Sequence, residues 1–220
     1  TQQNRICEGD TVADSEIISA SGKHVVIIGG GDTGADCLGT AHRQEAASVS
    51  QLELLERPPD SRAKDNPWPN WPNIFRVSSA HEEGGDRRYA VSTQKFSGDT
   101  TGRVAVLHGN KVEVSYADGQ PKFNSIPADD FEIKVDLVLL AMGFVGPERN
   151  GLLTELDVQL TDRGTVWRDE QWMTSTPGIF TAGDMQKGQS LIVWAIAEGR
   201  SAARSLDAYL MGSSTLRAPL

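Results

Sequence analysis

The chain has 220 residues, 38% of them apolar, and a formal net charge of −9. That length buries a sizeable core, as one large domain or two small ones, while the acidic balance argues against a nucleic-acid surface beyond a local basic pocket. No apolar run approaches the roughly 20 residues of a membrane span, and two cysteines, Cys7 and Cys37, are too few for a disulfide framework or, alone, for an iron–sulfur cluster, which fits a reducing, cytoplasmic setting. The chain begins at Thr1 with neither an initiator Met nor a signal segment and reads as a piece of a longer protein.

Residues 1–22 are polar and irregular and are expected to form a lead-in. The apolar run at 24–29 does not alternate, which predicts a strand buried on both faces. A helix is expected over 33–46, where Ala35, Gly39 and Ala41 allow close packing on a sheet, and "SQLELLER" (50–57) reads as the next parallel strand. Strand, glycine turn, helix and strand within about 30 residues make a βαβ unit. Five prolines and two tryptophans in 57–73 exclude regular helix or central strand. That stretch is expected to be an ordered surface loop pinned by Trp68 and Trp71, which either pack on the loop itself or face a partner. Alternating segments at 87–96, 103–108 and 111–117, the last two flanking a tight turn at Gly109-Asn110, predict an antiparallel meander. "VDLVLLAMGF" (135–144) returns to a buried-strand pattern and ends at Gly143. "TPGIFTAGD" (176–184) reads as a short strand, and 190–210 as a long helix whose Ala195, Gly199, Ala202 and Ala203 allow close packing while Arg200 and Arg204 face solvent. The fold class is α/β: a lead-in at 1–22, a Rossmann-like NAD(P)-binding domain with an antiparallel β-meander at 23–145, and a C-terminal segment at 146–220.

The stretch "KHVVIIGGGDTGADC" carries the strongest chemical signal. Gly29, Gly31 and Gly34 match G-x-G-x-x-G, with Gly30, Asp32 and Thr33 between them. The first glycine permits the sharp turn, the second lets backbone approach a pyrophosphate, and the third lets helix and strand pack closely. The helix N-terminus adds unpaired N–H groups and a positive dipole end. The motif alone is weak; a strand before it and a helix and strand after it supply the context a dinucleotide site needs, against the alternative of a glycine turn with no ligand. The end of the second strand decides the nucleotide. Glu56 there suits the ribose hydroxyls of NAD, and Arg57 the 2′-phosphate of NADP. Arg43, at the end of the first helix, is a second phosphate candidate, with Arg62 and Lys64 adding positive charge nearby; the alternative for Arg43 and Arg57 is a solvated face. The balance favours NADPH.

Other residues offer less. His81-Glu82-Glu83 lacks the spacing of a metal motif and reads as a polar loop face. Cys37 lies where a helix dipole lowers a thiol pKa, yet its packed position favours a buried, inert thiol. Trp194 is a flavin-stacking candidate or a core residue. Gly183-Asp184 closes a strand before a helix, a place for a carboxylate against flavin hydroxyls, although the dipeptide alone has no specificity.

Taken together, "KHVVIIGGGDTGADC", "HRQEA", "NPWPNWPNIFR", "VDLVLLAMGF" and "GIFTAGDMQKGQSLIVWAIAEGRSAARSLDAYLMG" resemble the small (beta) subunits of bacterial glutamate synthase over nearly the whole chain. More broadly, the chain resembles flavoproteins in which an NAD(P)H domain interrupts an FAD domain. The resemblance implies that 146–220 is the C-terminal part of a split FAD-binding domain. The first FAD-binding glycine motif and a cysteine-rich iron–sulfur domain would then lie upstream. It also implies hydride passage from NADPH to FAD, then electron transfer through iron–sulfur clusters to an FMN in the large (alpha) subunit, where glutamate is formed from 2-oxoglutarate and glutamine. By the same resemblance Asp184, next to Gly183, contacts the FAD ribityl chain, backbone at Ser190, Leu191 and Ile192 lies near the isoalloxazine ring, and Gly143 joins the cofactor-binding set. No side chain is required as acid or base, so no catalytic residue is assigned. Two alternatives stay open: a related NAD(P)H-dependent flavoprotein reductase feeding another acceptor, and, for this stretch by itself, a nucleotide-binding module without catalysis.

Overall fold

The computed structural model describes residues 2–68, 72–117 and 120–220. They form two compact units, Thr1–Met142 and Gly143–Leu220.

The first unit is built on a parallel sheet. β1 (His24–Ile28) and β2 (Ser48–Leu52) run parallel in register from His24↔Ser48 to Ile28↔Leu52, joined by α2 (Asp32–Arg43), which follows a short opening helix, α1 (Gln2–Cys7). β3 (Asp86–Arg88) adds to β2, and β7 (Leu137–Leu140) to the far side of β1, both parallel, for the order β3-β2-β1-β7. Val25, Val26 and Ile27 are all but fully buried, because both faces of β1 are covered. Val25 and Ile27 pack with Leu38 and Ala41 of α2 and with Val49 and Ala20. Val26 and Leu52 pack with Val91, Leu107 and Val135. Each such side chain contributes about 1.5–3 kcal/mol.

The second face of the sheet is covered by an antiparallel meander, β4 (Val91–Gly98), β5 (Val104–Ala117) and β6 (Gln120–Lys134), which takes the place of a second helical layer. Here the structure departs from the pattern in the sequence. Gly109-Asn110 is no turn: β5 passes straight through it, because Gly109 lies under the ring of Phe131 and leaves no room for a side chain, and Asn110 is buried and accepts a hydrogen bond from Gln94. The 120–134 strand carries no clean alternation and escaped prediction. Arg87 and Arg88, at the start of the segment expected to belong to the meander, pair instead with the parallel sheet. The lead-in contains α1 and one 3₁₀ turn (Asp14–Glu16). The second strand runs over Ser48–Leu52 rather than 50–57, and past it Glu53 and Leu55 make only irregular backbone bonds with Arg88, Ala90 and Val91.

The prolines keep the described part of 57–73 free of helix and strand. Trp68 is 82% exposed, which does not fit the expected pin of the loop, and Trp71 lies outside the described residues.

The second unit has little sheet. α4 (Leu152–Glu155), α5 (Asp184–Lys187) and α6 (Ile192–Met211) are joined by loops with two isolated antiparallel bridges, Leu160↔Val166 and Met173↔Phe180. The expected strand at 176–184 is reduced to that second bridge. The bonds of that bridge run from the Thr174 N–H to the Ile179 carbonyl and from the Thr181 N–H to the Trp172 carbonyl. α6 begins after Leu191 and stops at Gly212, whose φ of +79° suits the left-handed residue that ends many helices. Arg200 and Arg204 are exposed, as expected.

Candidate functional site

The end of β1 and the start of α2 form the predicted glycine turn. Gly29 has φ +124°, and a Cβ there would collide with the Ala141 carbonyl. A Cβ on Gly34 would collide with the Gly29 carbonyl, so this glycine is required by the approach of helix to strand. Gly31 faces open space and is the N-cap of α2, with no side-chain cap on the helix. The turn is held from below by two side chains of the neighbouring strand. Gln51, 2% exposed, donates its Nε2 to the Gly29 carbonyl at 2.9 Å. Glu53 accepts the Gly30 N–H at 2.7 Å and the Leu55 N–H at 3.0 Å.

Gln51 is in turn oriented by His81. Its Oε1 lies 3.0 Å from His81 Nε2, and the Ser78 N–H and hydroxyl lie 3.3 and 2.9 Å from His81 Nδ1, closing a capping box on α3 (Ser79–Glu82). Because Gln51 already donates to Gly29, its oxygen must accept from His81, which requires a proton on Nε2 and leaves Nδ1 to accept the Ser78 N–H. Burial, then the positive charge of Arg87, lowers the His81 pKa and favours this neutral form.

Beside the turn lies a cavity of about 650 Å³. Gly30, Gly31 and Asp32 line it, with Glu53, Glu56 and Arg57 beyond β2 and Phe75, Arg76 and Arg87 farther along the chain. Arg57 stands 3.9 Å over the Phe75 ring and pairs with Asp60 at 2.6 Å. Arg87 stands 4.9 Å from the same ring and 5.5 Å from that of Tyr89. The cavity therefore carries a cluster of guanidinium groups braced by aromatic rings, suited to a phosphate.

A second cavity, of about 500 Å³, lies in the second unit, lined by Phe144–Pro147, Arg163, Thr165, Asp184, Met185 and the 187–189 turn. Its floor is tethered by Glu198, 2% exposed on α6. Glu198 accepts the Gly183 N–H at 2.8 Å and Gln186 Nε2 at 2.7 Å, and pairs with Lys187 at 3.5 Å. Gln189 Oε1 accepts the Phe144 N–H at 3.1 Å and fills the space above Gly143.

The family model described as "Pyridine nucleotide-disulphide oxidoreductase" matches residues 2–199. The chain belongs to that family. Among curated proteins it is 60% identical to the glutamate synthase (NADPH) small chain of Mycobacterium tuberculosis, over 99% of this chain and 44% of that protein. It is 42% identical to the glutamate synthase (NADPH) small chain of Bacillus subtilis, over 92% of this chain and 42% of that protein. It is 44% identical to the glutamate synthase (NADH) of Saccharomyces cerevisiae, over 92% of this chain and 10% of that protein. The chain thus spans under half the length of these relatives. Among solved structures, T. acidophilum thioredoxin reductase matches with a TM-score of 0.55 at 23% identity, over 87% of this chain and 53% of that one. Mycobacterium tuberculosis FprA in complex with NADPH matches at 0.61 and 13%, over 88% and 54%. These two likenesses concern the fold, which agrees with the expected α/β class with parallel and antiparallel sheets. Among the described residues no helix is long and apolar enough to cross a membrane, and no cluster of His, Cys, Asp or Glu is placed to hold a metal.

Within this pyridine nucleotide oxidoreductase fold the predicted residues separate into groups. Gly30, Gly31, Asp32 and Arg57 line the first cavity, while Gly29 and Gly34 shape its turn. Thr33 lies in the first turn of α2. Arg43 lies at the other end of α2, about 16 Å along a helix of that length, where it pairs with Glu83 at 3.2 Å and does not line the cavity. Asp184 lines the second cavity, with Gly183 at its edge under Glu198. Ser190, Leu191 and Ile192 are exposed at the start of α6. Trp194 is 43% exposed, with the Lys187 ammonium 4.6 Å from its ring, so it is not a core residue. Burial and then Asp36 raise the Cys37 pKa, as suits an inert thiol.

Four residues that shape the cavities were missed in the sequence. Glu53 falls in the middle of the strand expected at 50–57, whereas it is the first residue past β2, where its carboxylate accepts the Gly30 N–H. Gln51 carries no signal in the sequence, lying inside the second strand as one polar residue among several. His81 was judged a loop residue. Glu198 had a usable signal: it sits on the small-residue face of α6, three residues after Ala195 and four before Ala202, where an acid must find buried partners.

Proposed function

We propose that the chain is the electron-input part of a glutamate synthase. In this reading the first unit binds NADPH, and the second is the C-terminal segment of a split FAD-binding domain. Together the two cofactors supply hydride transfer, from the nicotinamide to the flavin. The chain's residues do the holding. The glycine turn and the N-terminal N–H groups of α2 receive the coenzyme pyrophosphate, and Glu53 and Gln51 keep that turn in shape. Arg57, with Arg76 and Arg87 lining the same cavity, takes the 2′-phosphate, while Glu56 or Glu53 receives a ribose hydroxyl. Gly183 and Asp184 present the second cavity to the flavin, and the exposed apolar residues of α6, such as Ile192, Val193 and Ile196, are the face that the remainder of the FAD domain covers. The iron–sulfur clusters, the FMN and the large (alpha) subunit, where glutamate is made from 2-oxoglutarate and glutamine, belong to the whole assembly, in the cytoplasm.

The observation that carries this reading is the joining of an uncapped helix N-terminus, an open Gly31 and three guanidinium groups on one cavity. That combination fits a phosphorylated dinucleotide. Identity to glutamate synthases across most of the chain supports the acceptor. Calorimetric titration tests the reading. The chain is expected to bind NADPH about ten-fold more tightly than NADH, and Arg57→Ala to remove most of that preference. Equal affinity for both, unchanged by the substitution, overturns the 2′-phosphate assignment, and binding of neither overturns the coenzyme reading.

A further inference from the structure

β5 is 14 residues long, more than covering the sheet requires. Its core-facing row continues past the core. Val112 is 4% exposed, Val114 is half-buried, and Tyr116, the next residue on that face, is 72% exposed. The residues of the alternate row, Lys111, Glu113 and Ser115, are exposed and polar. An alternating apolar row that outlasts its own core still presents an apolar surface, here ending in an aromatic ring.

The row leads into the first cavity, where Val114 and Tyr116 join the glycine turn, Arg57 and Phe75 in the lining. An irregularity sets this course. Between the pairs Asn110↔Asp130 and Val112↔Ser125, β5 advances from 110 to 112 while β6 runs from 130 to 125, and Ala128 adopts φ +68°. Bulges of this kind redirect the strand beyond them and are frequent at binding sites. Cross-strand, Val114 faces Phe123, which stiffens the arm behind Tyr116.

The lining also identifies the part of a dinucleotide that would reach Tyr116. It comes from the β1–α2 turn and the start of α2, from the segment between β2 and β3, from Arg87 of β3 and Tyr89 after it, and from β5, with none from β7. In a Rossmann-like unit the side beyond the second strand is the adenosine side. Resting on the coenzyme reading above, we propose that Tyr116 is a coenzyme-binding residue. The outer arm of β5 carries its ring to the adenosine half of the nicotinamide coenzyme, where it stacks on the adenine. This assigns the long hairpin a role in binding in addition to covering the sheet.

The test is calorimetry on the whole chain with NADP⁺, NAD⁺, ADP-ribose and nicotinamide mononucleotide. Stacking of a base on an aromatic ring predicts that Tyr116→Ala weakens the first three by a common factor of about five or more and leaves the mononucleotide unchanged, while Tyr116→Phe binds all four like wild type. The ring is exposed, so the melting temperature is expected to stay constant, which separates lost stacking from lost fold. Affinities within two-fold of wild type in Tyr116→Ala overturn the proposal, as does a loss confined to the mononucleotide. A loss in Tyr116→Phe equal to that in Tyr116→Ala overturns stacking in favour of a hydroxyl contact. If wild type binds none of the adenosine ligands, the coenzyme reading fails and the role of Tyr116 fails with it.

Discussion

The two units solve the same problem, a glycine turn facing a cavity, by different means. In the first, the turn at Gly29–Gly31 is fixed by a sheet. β1 is buried on both faces and paired on both edges, and Gln51 and Glu53 reach from the adjoining strand to grip the turn's backbone. In the second there is almost no sheet, and the turn at Gly183–Asp184 hangs on one carboxylate, Glu198, which gathers three donors from five residues. The first arrangement distributes the load over apolar packing and several hydrogen bonds. The second concentrates it in one buried carboxylate, whose removal leaves the Gly183 N–H and the Gln186 amide without their acceptor.

That contrast yields a ranking. Glu198→Ala has the largest expected effect, about 4 kcal/mol at roughly 2 kcal/mol for each donor it strands, because it leaves the Gly183 N–H and the Gln186 amide without their acceptor; denaturant unfolding followed by Trp fluorescence checks it, and a loss below about 1 kcal/mol would show that the second turn is supported otherwise. Gly29→Ala follows, at about 3 kcal/mol, from the collision with Ala141 and the positive φ. The same denaturant series measures it, and calorimetry is expected to find coenzyme binding lost.

His81 sharpens the account of the first turn. Its pKa is lowered in the fold, so the unfolded chain binds more protons near the ordinary histidine value. Stability from this residue is therefore present above the unfolded pKa and lost as pH falls through the lower folded pKa. Melting temperatures are expected to climb between pH 5 and 7, and His81→Leu to flatten part of that climb. An identical slope in both proteins would show that the His81–Gln51 contact does not select the neutral ring. The smallest effect belongs to Arg43→Ala, within about 0.5 kcal/mol, since the pair with Glu83 is exposed. Unchanged NADPH affinity in that variant would separate it from Arg57→Ala.

The βαβ unit was legible in the sequence because its signals are local: an unbroken apolar run, three glycines at fixed spacing and a helix of small residues. The strand at 120–134 was not, since its partner is β5 and much of it is exposed, so neither face imposes a clean apolar period. Gly109-Asn110 misled for a related reason. The pair favours tight turns in isolation, but here Phe131 takes the space above the glycine and Gln94 satisfies the asparagine.

The cavities divide in the same way. Gly29, Gly31 and Gly34 could be named from their neighbours in the chain, because a glycine's conformational freedom and a strand-to-helix turn are properties of a few consecutive residues. Glu53, Gln51, His81 and Tyr116 could not, because they become braces or walls only through residues far along the chain: Gly30 for Glu53, Gly29 for Gln51, Gln51 for His81, and Arg57 and Phe75 for Tyr116. Sequence thus determined where the backbone can turn and open a helix end. Tertiary structure decided which side chains hold those turns and which arginines share a cavity, because burial and hydrogen-bond partners exist only once distant segments have packed.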